Sequence, residues 1–202
     1  MSRKYHYKKE QTLSKLQHKN MPARFYNAGF LAMAQRQLTH SAVCGLWIGI
    51  LQEYFKMSEF FMTEPEYRLP HGGGREDTVI IRVAVAAGEK DSTCILLEVK
   101  PADASETWDN ARAQTYNYVK EGLRKKQHST VVIIAKGLEF VIFDVPGSQM
   151  ASGTTWRSLG LNNDGTQHPN GTPYNITVHT DQLERVLLEI KAEANNGSFE
   201  DS

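Results

Sequence analysis

Eight residues, Thr93-Cys94-Ile95-Leu96-Leu97-Glu98-Val99-Lys100, constrain this chain more than any others. The run is apolar, suits a pleated surface and stops at Pro101, so it reads as a buried strand. Its end is charged. Side chains alternate along a strand, so Glu98 and Lys100 share one face while Leu97 and Val99 share the other. A carboxylate and an ammonium therefore project together from the end of a buried element.

Upstream, Asp77 to Val85 predicts a second strand, and Ala87-Gly88-Glu89-Lys90-Asp91 carries the turn chemistry that joins the two as a hairpin. With the turn centred near Gly88 and Glu89, Asp77 falls opposite Lys100 and Val79 opposite Glu98. Asp77 and Glu98 are then diagonal neighbours on one face. A shift of one residue would turn Asp77 to the other face.

Two carboxylates held close repel unless one is protonated or a cation lies between them. Mg²⁺ takes oxygen ligands from a few carboxylates, completed by water and phosphate, and Mn²⁺ accepts a similar set. Such a cation polarises a phosphoryl oxygen and activates an attacking water. Lys100 is suited to orient that water or to neutralise charge building on phosphorus.

Gly74-Arg75-Glu76-Asp77, then Glu98-Val99-Lys100, then a helix carrying Gln114 and Tyr118, resembles the PD-(D/E)xK, or restriction-endonuclease-like, nuclease superfamily, over roughly residues 45 to 145. The resemblance implies that Asp77 and Glu98 are metal ligands, that Lys100 is the catalytic lysine and that Gln114 is the helix glutamine of many exonuclease-like and resolvase-like members. A glutamate of the preceding helix often joins the metal site. Glu53 is the best placed here, with Glu59, Glu64 and Glu66 as the other acids of that region. Glu76 stands where the family name has proline.

The remaining pattern frames these motifs. Val43, Leu46, Trp47, Ile50, Leu51 and Tyr54 predict a helix from about Leu38 to Tyr54, capped by Thr39 or Ser41. Glu53 lies near its C-terminal end, where the helix dipole disfavours a carboxylate. His71-Gly72-Gly73-Gly74-Arg75 reads either as a phosphate-cradling loop or as a plain glycine turn, and the Lys-Ser/Thr of a P-loop does not follow it. After Pro101, Ser105 predicts the cap of a helix running to about Lys125, with Trp108, Ala111, Thr115, Tyr118 and Gly122 on the stripe that meets the sheet. Gln114 and Tyr118 are one turn apart. Arg75, Tyr118, Arg124 and Lys125 are the candidate contacts to a nucleic-acid backbone.

Val131 to Ala135 and Leu138 to Phe143 predict two further strands. The helical crossover between the Glu98 strand and the first of these implies a right-handed parallel connection beside the hairpin. The expected fold is α/β, a restriction-endonuclease-like mixed sheet of about four to five strands flanked by helices. Short strands are expected at Thr155-Trp156-Arg157 and from Tyr174 to Val178. Asp181 and Glu184 predict a capping pair for a last helix with Leu183, Val186, Leu187 and Ile190 inward.

Among the first 30 residues, seven Lys and Arg face one acid, Glu10, although the whole chain has no net charge. This basic arm, residues 1–30, reads as a solvated, partly flexible terminus or as a phosphate-binding one. Residues 31–193 are expected to form one domain, since 202 residues with 40% hydrophobic content suffice for one sizeable core, and residues 194–202 a disordered acidic tail. The apolar run Leu46 to Leu51 is far shorter than the ~20 residues that span a bilayer, and no signal-peptide core follows Met1. Cys44 and Cys94 fit reduced, buried thiols. These features point to an intracellular protein, in cytoplasm or nucleus, without a membrane anchor.

The sequence thus predicts a Mg²⁺- or Mn²⁺-dependent nuclease hydrolysing phosphodiester bonds. Its partner is nucleic acid, DNA in preference to RNA, and a homodimer would suit double-strand cleavage. The alternative is a catalytically inactive nuclease-fold module that binds nucleic acid or a protein partner.

Overall fold

A computed structural model describes residues 39–66, 77–83, 91–122, 130–145, 157–158 and 173–196. Among these residues the element order is α1 (His40–Tyr54), β1 (Phe61–Pro65), β2 (Thr78–Arg82), β3 (Ser92–Lys100), α2 (Trp108–Gly122), β4 (Thr130–Lys136), β5 (Glu139–Val145), β6 (Arg157–Ser158), β7 (Tyr174–Asn175) and α3 (Thr180–Asn195). The strands form one mixed sheet in the order β1-β2-β3-β4-β5-β6, with β7 also paired to β5. The β3–β4 pair is parallel and the other pairings are antiparallel, as a strand, helix, strand crossover beside hairpins requires. No described helix is long and apolar enough to cross a membrane.

Helix α2 covers one face of the sheet. Val79, Ile81, Leu96, Val132, Ile134, Val141 and Phe143 of the strands meet Ala111 and Val119 there, with Trp108 packed at the edge. The inward stripe is therefore Ala111, Thr115 and Val119; Thr115 is fully buried because its hydroxyl donates back to Ala111 O at 2.8 Å. The cap is Thr107 rather than Ser105: its Oγ1 accepts from Asn110 N at 3.2 Å. A cap two residues nearer the first apolar contact starts the helix where its buried face begins.

The opposite face takes α1 and α3. Trp47 is fully buried and meets Phe140 edge to face at 5.2 Å, and Phe140 stacks on Tyr174 at 5.5 Å. Thr39 caps α1 by accepting from Ala42 N at 3.4 Å. Helix α3 begins at Thr180 after the cap residue His179, which makes no side-chain cap bond, so Asp181 and Glu184 do not form the expected capping pair. Its entry is set instead by Thr180 Oγ1 donating to Ile176 O at 3.0 Å and by His179 Nδ1 accepting from Asn175 N at 2.9 Å. The helix continues past residue 193, with Ala194 buried, because the apolar stripe of Leu183, Val186, Leu187 and Ile190 has one more member.

The hairpin register differs from the count. Thr78 pairs with Leu97 and Val79 with Leu96, two residues from the expected alignment. Two is the shift that preserves the face, and one step beyond the last pair sets Asp77 against Glu98. Nearer the connection, Ile81 pairs with Thr93, so Cys94 is an extra residue on β3 between that pair and Ile80–Ile95. Without this bulge the Ile81–Thr93 register would run on to place Asp77 opposite Leu97, on the wrong face for Glu98. A residue-by-residue count from the turn cannot see the insertion.

Candidate active site

Four of the residues singled out in the sequence meet at the C-terminal end of β3. Lys100 Nζ lies 2.7 Å from Glu98 Oε1 and donates to Gln114 Oε1 at 2.8 Å. The strand alternation supplies the first contact, and α2, packed by Ala111 and Thr115, supplies the second from its shoulder. Glu98 is 5% exposed, so its carboxylate is a buried charge that needs a cationic partner, and Lys100 provides it.

Asp77 joins through the backbone. Strand β2 begins at Thr78, and Asp77 just before it accepts the N–H of Val99 through Oδ2 at 2.6 Å. Its other oxygen, Oδ1, lies 3.1 Å from His40 Nε2 at the start of α1. Both carboxylate oxygens are thereby oriented, and each keeps lone pairs for a further ligand.

Two further residues belong to this cluster although no sequence motif marks them. His40 is the first residue of α1, and its position beside a cap gives no hint that it reaches Asp77. Glu106 reads as a first-turn acid suited to a helix dipole. In the structure it precedes the helix, and its Oε2 lies 3.6 Å from Lys100 Nζ. Lys136, which pairs with Lys100 across the parallel β3–β4 ladder, donates from Nζ to the Glu106 carbonyl at 2.9 Å and so fixes that segment.

The charges act together on Lys100. Burial pulls its pKa down, but the hydrogen bond and charge of Glu98, followed by the charges of Glu106 and Asp77, more than offset this and hold it above the ordinary 10.5. Lys100 is therefore an ammonium at neutral pH. One turn after His40, Cys44 moves in the opposite chemical sense: burial first, then the charges of Asp77 and Glu66, raise its pKa despite a hydrogen bond with Thr78. It stays a thiol and is not suited to act as a nucleophile.

Glu53 is not part of this arrangement. It lies 13 positions after His40 on α1, about 20 Å along the helix axis at 1.5 Å per residue, so the helix end that meets Asp77 is the other one. Its carboxylate is exposed and faces Lys56 at 3.9 Å, an ordinary surface pair. Glu59 is engaged with Lys191 of α3. Tyr118 lies on α2 one turn after Gln114, its side chain outside the described set, and Arg75, Arg124 and Lys125 also lie outside the described residues.

Among the described residues no group of three or more His, Cys, Asp and Glu is arranged to hold a metal ion. The donor set at hand is two carboxylates, Asp77 and Glu98. That set fits Mg²⁺ or Mn²⁺, which bind through one or two carboxylates with water and substrate phosphate completing the shell, and it does not fit a structural zinc site. Comparison of the chain with protein-family models, curated proteins and solved structures finds no match.

Proposed function

We propose that the chain is a metal-dependent nuclease of the kind that its PD-(D/E)xK-like motifs suggest. The observation that carries this reading is the bridging position of Lys100, hydrogen-bonded to Gln114 and paired to Glu98, on the strand whose Val99 N–H, between Glu98 and Lys100, is held by Asp77.

On this reading Asp77 and Glu98 hold a Mg²⁺ or Mn²⁺ ion through carboxylate oxygens. When bound, the cation supplies Lewis acidity toward a phosphoryl oxygen and lowers the pKa of an attacking water. Lys100 places a fixed positive charge where negative charge develops on phosphorus. Gln114 holds the ammonium in line, and His40 fixes the rotamer of Asp77. The substrate is a nucleic-acid phosphodiester.

The test is cleavage of single- and double-stranded DNA and RNA with Mg²⁺ or Mn²⁺, comparing wild type with Glu98→Ala and Lys100→Ala after each variant is shown to fold. Metal-dependent cleavage lost in both folded variants is the expected result. Absence of cleavage together with absence of Mn²⁺ binding in calorimetry would leave the non-catalytic binding module as the better account.

A further inference from the structure

The ammonium of Lys100 meets acceptors from three separate segments. Glu98 lies on its own strand at 2.7 Å, Gln114 on α2 at 2.8 Å, and Glu106 on the segment before α2 at 3.6 Å. The first two contacts are full hydrogen-bond distances and the third is too long to be one. The side chains of Glu98 and Lys100 are 7% and 14% exposed, and that of Glu106 is 28% exposed. A buried carboxylate thus has a resident cation, with a second carboxylate waiting on the cation's outer side.

We propose that Lys100 is the resident counter-ion of Glu98, and that Glu106 is the positioning residue to which the ammonium withdraws when Glu98 binds a divalent cation. The inference rests on the metal-site reading given above. Its physical basis is competition: a divalent cation on Glu98 and an ammonium on the same carboxylate repel each other strongly where water is largely excluded. The lysine therefore moves, and the next carboxylate within reach is Glu106, 3.6 Å away. Gln114 Oε1 can keep its bond during a small rotation of the outer lysine bonds. The backbone under Glu106 is held by Lys136 at 2.9 Å, so the acceptor stays in place. Glu106 then keeps Lys100 charged and close to the reacting phosphate while freeing Glu98 for the metal.

Calorimetric titration of the full chain with Mn²⁺ alone tests this, using wild type, Lys100→Met, Glu106→Gln and the double variant, each checked for folding by circular dichroism. Removing the resident cation should tighten Mn²⁺ binding by roughly tenfold, the scale of one charge-assisted contact. Glu106→Gln should weaken it several-fold in the wild-type background and have no effect in the Lys100→Met background, because its influence passes through the lysine. Lys100→Gln, which can still hydrogen-bond both neighbours, serves if Lys100→Met does not fold. Unchanged or weaker Mn²⁺ binding on loss of the lysine charge would overturn the inference while leaving the metal site standing. Equal weakening by Glu106→Gln in both backgrounds would overturn it too, by making Glu106 a direct ligand. If neither wild type nor any variant binds Mn²⁺, the metal-site reading itself fails.

Discussion

Asp77 Oδ2 accepts the backbone N–H of Val99 at 2.6 Å, so this side chain stands where the next carbonyl of β2 would have stood in the ladder. One carboxylate thereby finishes the sheet and opens the site. Asp77→Ala is expected to lower stability by about 1–3 kcal/mol, the cost of leaving a part-buried N–H without its acceptor. Urea denaturation measures this. Asp77→Asn, which keeps an acceptor oxygen, should recover most of the stability but not Mn²⁺ binding, and calorimetry separates the two roles.

Gly137 gives a second prediction. It follows β4 with φ of +62°, and a Cβ there would lie 2.6 Å from Ala102 Cβ and 3.2 Å from Ala102 Cα. Its N–H donates to Lys100 O at 3.3 Å, and its own carbonyl accepts Trp47 Nε1–H at 3.3 Å. Gly137→Ala should therefore destabilise by about 1–3 kcal/mol through strain at a left-handed residue and crowding against β3's exit. Adding Ala102→Gly should restore the part due to crowding, and denaturation midpoints of the single and double variants report the division.

Glu53 supplies a prediction of no effect. Its carboxylate is exposed and about 20 Å along α1 from the residue that touches Asp77. Glu53→Gln should leave Mn²⁺ affinity unchanged and stability within about 0.5 kcal/mol. A loss of metal binding would show that the C-terminal end of α1 does belong to the site.

At alkaline pH the groups whose pKa the fold raises govern the loss of stability: the Cys44 thiol, held above its ordinary 9.0 by burial, is joined by two more. Tyr174 is pushed up to about 12 by burial, opposed in part by the charge of Arg185, and Lys100 stands above 10.5. All three hold their protons more tightly in the fold than in the unfolded chain. Their contributions are fully present below the unfolded values and are lost as pH rises through the folded ones. The urea midpoint should fall from about pH 9, the ordinary value of the Cys44 thiol, and keep falling to about 12. Tyr174→Phe should flatten that decline, and Lys100→Met should remove the part of it that Lys100 contributes.

Most of the architecture was legible in the chain because periodicity is a local signal. The apolar runs at Ile95 to Val99, Val131 to Ala135 and Phe140 to Phe143 carry the buried strands, and the stripe from Val43 to Tyr54 carries α1. Strand β1 was not legible: Phe61-Met62-Thr63-Glu64-Pro65 has neither alternation nor length, and it is a strand because Arg82 through Thr78 offers it a ladder. At the site, Glu98, Lys100 and Gln114 could be grouped because one strand and one crossover helix bring them together. His40 and Glu106 could not. Each reaches the cluster through a tertiary contact whose distance no spacing encodes, and Glu53 sits at the end of α1 away from His40, about 20 Å along the helix.

The bulge at Cys94 makes the site depend on residue number as much as on residue identity. A strand end can exchange leucine for isoleucine and keep its faces, whereas losing or gaining one residue between Thr93 and Ile95 exchanges the two sides of everything beyond. Diversification of this protein is thus expected to be free in substitutions along the inner strands and closed to changes of length there. The same constraint reaches beyond the span from Asp77 to Gln114, to the start of α1 that carries His40 and the end of β4 that carries Lys136.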